Sequence, residues 1–179
     1  MTAESAHLDV FQALRPRLFG IAYRMLGVRS DAEDVLQDAW LRWSRIDRGT
    51  LGSEDAWLVT VVTRLAIDRF RTARVEREKY VGSWLPEPMV EVEPGTPETA
   101  VELAGDLSFA FMHLLERLAP EERAAFLLRQ VFDYEYTEIA QMLDKSEPDI
   151  RQMVHRATER VRQQRPRFKV APHAPSAPS

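Results

Sequence analysis

Apolar residues recur along this chain at intervals of three and four, and no stretch alternates with period two for long enough to make a strand. The pattern predicts an all-α protein. A first helix is expected over 8–27, with Pro16 marking a kink or restart. Ser30 with Glu33 reads as a capping box opening a second helix that reaches about Ile46, and Ser53 caps a third that runs to about Glu78. Thr96 before Pro97 starts a fourth helix to about Leu118, and Ala119 before Pro120 starts a fifth to about Phe132. Two more follow at 137–143 and 147–163. Proline and glycine gather at 82–97 and 166–179. The predicted architecture is therefore two small helical domains, 1–79 and 98–166, joined by a proline-rich acidic linker at 80–97 and followed by a disordered tail at 167–179.

Three helices carry faces that call for a partner. In DAEDVLQDAWLRW, Ala32, Val35, Leu36, Ala39 and Trp43, with Ile46 beyond, form a core stripe, and Asp34, Gln37, Asp38 and Leu41 lie on another face. Such a strip is either solvated surface or the polar rim and anchor of a partner site. In AWLVTVVTRLAIDRFRTAR, Leu58, Val61, Val62 and Leu65 are expected inside, with Thr60, Thr63, Arg64, Arg71 and Arg74 on the opposite side. Hydroxyls among guanidinium groups suit a phosphate backbone and base edges. Asp68, near the core boundary, reads as an ion-pair partner of Arg64 or Arg71.

The third face lies in YTEIAQMLDKSEPDIRQMVHRATERVR, residues 136–162. Ile139, Ala140 and Leu143 give a short helix one apolar side, Asp144 and Lys145 make a tight turn, and Ser146 caps the next helix. There Ile150, Met153, Val154, Ala157 and Val161 point one way; Arg151, Gln152, His155, Glu159 and Arg162 point the other, with Arg156 at the border. This is the pattern of a helix-turn-helix, whose second helix presents Arg and Gln to base edges, or of an αα-hairpin with a solvated face.

Charge sharpens the picture. The net charge is −4, yet Lys and Arg outnumber Asp and Glu six to three over 64–79 and eight to three over 145–169, while 80–122 carries one against nine. Two basic segments flank an acidic middle, an arrangement compatible with nucleic acid despite the overall sign. The chain has no Cys, and His7, His113, His155 and His173 are scattered, which leaves no metal site and no thiol nucleophile; no cofactor and no catalytic constellation are expected. MTAESAHLDV lacks the basic and apolar regions of a signal peptide, and Arg24 and Arg64 interrupt the most apolar runs, so a cytoplasmic protein with no membrane partner is expected.

The succession LFGIAYRMLG, DAEDVLQDAWLRW, AWLVTVVTRLAIDRFR and a C-terminal helix-turn-helix resembles bacterial RNA polymerase sigma factors of the extracytoplasmic-function class, over residues 8 to about 166. The resemblance implies a promoter-melting domain over 8–79 and an upstream-element domain over 98–166, with core RNA polymerase and promoter DNA as partners and an anti-sigma or separate regulatory protein as a third. It implies that Asp34, Gln37, Asp38 and Leu41 dock on the polymerase clamp helices. It assigns Thr60, Thr63, Arg64, Arg71 and Arg74, with the loop from Asp47 and Arg48 to Ser53, to the promoter element nearer the start site. Ser146, Arg151, Gln152, His155 and Arg156 then face the farther element. The loop SRIDRGTLGSED has no aromatic residue, so a pocket for an extruded base would work by shape and hydrogen bonds rather than stacking. Thr63-Arg64 stands where many members of the class show Arg-Asn, so base preference does not transfer. The rival readings are a polymerase-independent helix-turn-helix repressor, which needs a dimerisation surface or effector pocket, and a helical adaptor without DNA affinity.

The linker contains SWLPEP at 83–88. With VVTRLAIDRFR and RQMVHRA it resembles the SigJ-like subgroup, whose members carry a C-terminal SnoaL-like domain. This chain has RPRF at 165–168 and then reads KVAPHAPSAPS, so a member lacking that domain, in nature or by truncation, is expected. Burying one large apolar side chain contributes about 1.5 to 3 kcal/mol. Trp84 and Leu85, stiffened by Pro86, are therefore expected to dock on a helical domain in the free protein and to be released or re-docked when polymerase binds.

Overall fold

The computed structural model describes residues 2–79 and 110–164, so Trp84, Leu85, Pro86, the expected linker, the Thr96-Pro97 helix start and the expected tail lie outside the described residues. Helix α1 spans Ala3–Leu26, opened upstream of the expected residue 8 by Thr2, whose hydroxyl accepts from the Ser5 amide at 3.2 Å. It runs through Pro16 without a break. It ends at Gly27, whose φ of 72° is the left-handed conformation that costs glycine least, with its amide bonded to the Tyr23 carbonyl at 2.7 Å.

Helix α2 spans Arg29–Trp43 and starts one position before the expected cap. Val28 occupies the N-cap without a side-chain bond, so the Ser30–Glu33 capping box does not form. Ser30 sits inside the first turn, and Glu33 instead accepts from Arg15 of α1 at 2.6 Å. The predicted α2 stripe is buried as expected, with Ile46 half-buried at its end. A single 3₁₀ turn, Arg48–Thr50, leads to α3, Glu54–Lys79, which Ser53 caps by accepting from the Ala56 amide at 3.2 Å.

Aromatic packing closes these three helices. Trp43 is fully buried and donates its indole N–H to the His7 carbonyl at 2.8 Å. It meets the His7 ring edge-on at 5.2 Å and Trp57 at 5.6 Å, while Phe11 meets Trp40 at 5.3 Å.

The second unit contains a short helical stretch at 110–115 (α4), then α5 (Pro120–Gln130), α6 (Tyr136–Leu143) and α7 (Glu147–Gln163). Between α6 and α7, Asp144 adopts the left-handed conformation, φ 53° and ψ 52°, and Ser146 caps α7 by accepting from the Asp149 amide at 3.2 Å. Ile139, Ile150, Val154 and Ala157 are buried as predicted, while Met142 is buried and Leu143 only half-buried. Among the described residues no helix is long and apolar enough to cross a membrane.

One apolar cluster runs through both units, because α3 packs on α5 and α6 and α1 packs on α5. Replacing Trp43 by Ala removes the largest side chain of the first unit's core. It is expected to destabilise the chain by about 3 to 5 kcal/mol, read as a lower urea midpoint at unchanged slope.

Candidate nucleic-acid interface

Two surfaces singled out by sequence are open, and on the third, along α3, Arg64, Arg71 and Arg74 are exposed whereas Thr60 is half-buried and Thr63 buried. On α2, Asp34, Gln37, Asp38 and Leu41 are all exposed, Leu41 at 46%. Val35, Leu36, Ala39 and Trp43 of the same helix are fully or nearly fully buried, so the strip stands on a rigid base. Asp31 at its start is bound by Arg69 of α3 at 2.7 Å, and that hydrogen bond, with the charge of Asp31, raises the Arg69 pKa.

On α7, Ser146, Arg151, Gln152, His155 and Arg156 are exposed, as the helix-turn-helix reading requires. Arg151 is nevertheless held. Its Nε and Nη2 donate to Glu147 Oε1 at 3.2 and 2.7 Å, and its guanidinium lies 4.3 Å from the centre of the Tyr136 ring. Arg129 of α5 lies 4.5 Å from the same ring.

The face expected on α3 is corrected by the structure. Its buried arc covers about half the circumference, from Leu58 and Val62 through Val59, Ala66 and Thr63 to Phe70 and Ile67. Val61 and Leu65 are only half-buried. A single apolar stripe answers to one covering layer, whereas α3 has two: α1 and α2 on one side, α5 and α6 on the other. Thr63 is consequently fully buried, and its hydroxyl has no hydrogen-bond partner among the described residues.

Arg64 and Arg71 reach across to the second unit. Arg64 Nε donates to the Met142 carbonyl at 2.9 Å, and Arg71 pairs with Glu121 at 2.9 Å. Arg123 of α5 is buried with its guanidinium 5.0 Å from the Phe70 ring centre. The ion pair expected between Asp68 and Arg64 or Arg71 is absent among the described residues, because both arginines are engaged elsewhere. Arg64, Ile67, Asp68 and Arg71 line one side of an open cleft of about 190 Å³, with Glu121 and Leu143 on the other.

The remaining expected residues are divided. Arg74 is exposed; Thr60 is half-buried and donates to the Ala56 carbonyl at 2.6 Å. Asp47 caps the 3₁₀ turn by accepting from the Gly49 amide at 3.0 Å. Arg48 is tied to Glu54 at 2.6 Å and lies over Trp43.

A second seam, between α1 and the α5–α6 loop, was missed in the sequence. Arg17 donates to the Tyr134 hydroxyl at 3.0 Å, and the Arg24 guanidinium lies 5.6 Å from the Phe132 ring centre. Burial raises the Tyr134 pKa. A methyl group on Gly20 would come within 3.1 Å of Arg24 Nη1 and make ordinary contact with the Phe132 ring at 3.5 Å, which shows how closely the loop approaches α1. The available signal was an aromatic pair, Phe132 and Tyr134, directly after a helix end.

Comparison with known families matches residues 10–76 to Sigma-70 region 2 and 108–161 to Sigma-70, region 4. The chain is 45% identical over 152 residues to the extracytoplasmic-function RNA polymerase sigma factor SigJ of Mycobacterium tuberculosis, covering 84% of this chain and 48% of that protein. The crystal structure of that SigJ superposes with a TM-score of 0.65 at 41% identity, covering 86% of this chain and 52% of the other. The sigma factor RpoE from Bartonella quintana, solved with the anti-sigma factor NepR, shares the fold at 21% identity, with a TM-score of 0.61 over 87% of this chain and 95% of that one. The chain spans about half the length of SigJ.

Glu121 pairs with Arg71 across the cleft at 2.9 Å and with Lys145, in the turn before α7, at 3.0 Å. Hydrogen bonds from Lys145 first and Arg71 second, with their charges, hold its carboxyl below the ordinary 4.5. Lys145 belongs to the same unit as Glu121, so only the Arg71 part of this depression depends on α3 staying packed on α5; that part favours the packed, closed arrangement above the ordinary carboxylate value and is lost as pH falls through the lowered one. Energy transfer between dyes on Gln12→Cys and Gln141→Cys is therefore expected to fall on acidification from pH 7 to below the ordinary carboxylate range. Glu121→Gln should lower it already at pH 7 and flatten the titration.

Proposed function

Since the chain belongs to the sigma-70 family, we propose that it is an RNA polymerase sigma factor of the extracytoplasmic-function class, which binds core polymerase, recognises two promoter elements and starts transcription of a specific regulon. The observation that carries this reading is the conjunction of two exposed surfaces: the acidic strip with Leu41 on α2, and the amino-terminal half of α7 with Arg151, Gln152, His155 and Arg156. A repressor acting alone would use the second and has no use for the first.

The division of labour follows from chemistry. Leu41 offers an apolar anchor and Asp34, Gln37 and Asp38 a polar rim, the composition of a docking site for a basic helical partner. Guanidinium and carboxamide groups on α7 can each make paired hydrogen bonds to base edges in a major groove. On α3, Arg64, Arg71 and Arg74 are all at the surface, and Arg64 and Arg71 would exchange Met142 and Glu121 for phosphate on contacting DNA. Burying the unpaired Thr63 hydroxyl costs roughly 1 to 3 kcal/mol, a term that favours separation of the units. The bond-making chemistry belongs to the polymerase, and the chain supplies placement.

The test is run-off transcription from a promoter library with core polymerase and the full chain. Activity on a subset of promoters is expected, and none on any promoter would overturn the reading. Asp38→Arg combined with Leu41→Ala should abolish co-purification with core polymerase while leaving the helical circular-dichroism signal intact. Persistent binding would reduce the α2 strip to solvated surface.

A further inference from the structure

Arg151 is exposed, yet it does not sweep freely through solvent. The guanidinium has five N–H donors, and Glu147, one turn earlier on α7, receives one from Nε and one from Nη2 through a single oxygen. That contact uses the side edge of the fork. The end edge, formed by one N–H each from Nη1 and Nη2, is left outside it, and this pair matches the two acceptors that guanine presents in the major groove. The Tyr136 ring, 4.3 Å from the guanidinium, restrains its plane. Tyr136 is itself half-buried at the first turn of α6, and Arg129 meets the same ring at 4.5 Å. Arg129 is anchored in turn, donating to the Tyr134 carbonyl at 3.1 Å and lying 3.6 Å from Glu135. The restraint on Arg151 thus traces back to α5 through groups that need not touch DNA.

We infer that Tyr136, with Glu147, is a specificity-determining positioning residue: it sets the plane in which Arg151 meets one base pair of the upstream element. The inference rests on α7 being the DNA reader. An arginine free to rotate pairs with any nearby phosphate and gains affinity without selectivity. One fixed in plane forms a bidentate contact with guanine and a poorer one with other bases.

The experiment is a selection from a duplex library randomised over the upstream half of the promoter, using core polymerase with the full chain, for the parent, Arg151→Ala, Tyr136→Phe, Tyr136→Leu and the double variant Tyr136→Leu/Arg151→Ala. Thermal melts accompany each variant. Arg151→Ala should flatten preference at one base pair, and Tyr136→Leu should flatten the same one, by about fivefold or more. Tyr136→Phe, which keeps the ring, should preserve it. The double variant should be no less selective there than Arg151→Ala alone, the signature of two residues acting as a unit. A Tyr136→Leu protein that binds all sequences more weakly but keeps that preference would overturn the positioning role and leave Tyr136 a packing residue. If Arg151→Ala changes preference nowhere, the failure lies with the reading of α7 itself, and the inference falls with it.

Discussion

Helix α3 must be covered around about half its circumference, and α1 and α2 cover only part of that arc. Everything else in the arrangement depends on how the rest is met. Phe70 and Ile67 are too apolar to leave in water, each worth up to about 1.5 to 3 kcal/mol on burial, so α5 and α6 complete the cover. The polar margin of the arc then finds partners on the second unit, and the two halves share one continuous core.

The contact made by Arg64 shows how polar and apolar terms cooperate. The last carbonyls of a helix lack donors from their own turn and carry the negative end of its dipole. Arg64 satisfies one of them at the end of α6, a task more often met by a neighbouring residue of the same chain segment. An arginine that completes another helix is well placed to exchange that partner for a phosphate, since both present oxygen acceptors with negative character. The closed form and a nucleic-acid complex would thus compete for the same donors. The amino-terminal half of α7, by contrast, is exposed in the closed form.

Much of the fold is legible in the sequence because it is written in local terms. The caps at Ser53 and Ser146, the turn at Asp144, and the apolar stripes of α2 and α7 each need only a few neighbouring residues to be recognised. The exposed site residues on α2 and α7 were readable for the same reason. What was not readable is long-range. Ser30 looked like a cap, but Glu33 was claimed by Arg15 from another helix. Thr63 looked like surface because periodicity reveals which side of a helix is most apolar, not how many layers cover it. Arg17, Gly20 and Arg24 gave no sign that Phe132 and Tyr134 would settle against them, since that seam joins segments more than a hundred residues apart.

The bond from Arg64 ends on a backbone carbonyl, not on a side chain. An acceptor of that kind belongs to every residue type, so substitutions at position 142 can alter packing there without deleting it. Tuning of this one contact is therefore asymmetric: its donor can be lost by a single codon change in the first unit, while its acceptor persists through sequence drift in the second. Lineages or engineers that exchange the helix-turn-helix half for another would carry this latch along unchanged, provided the incoming helix stops at the same place.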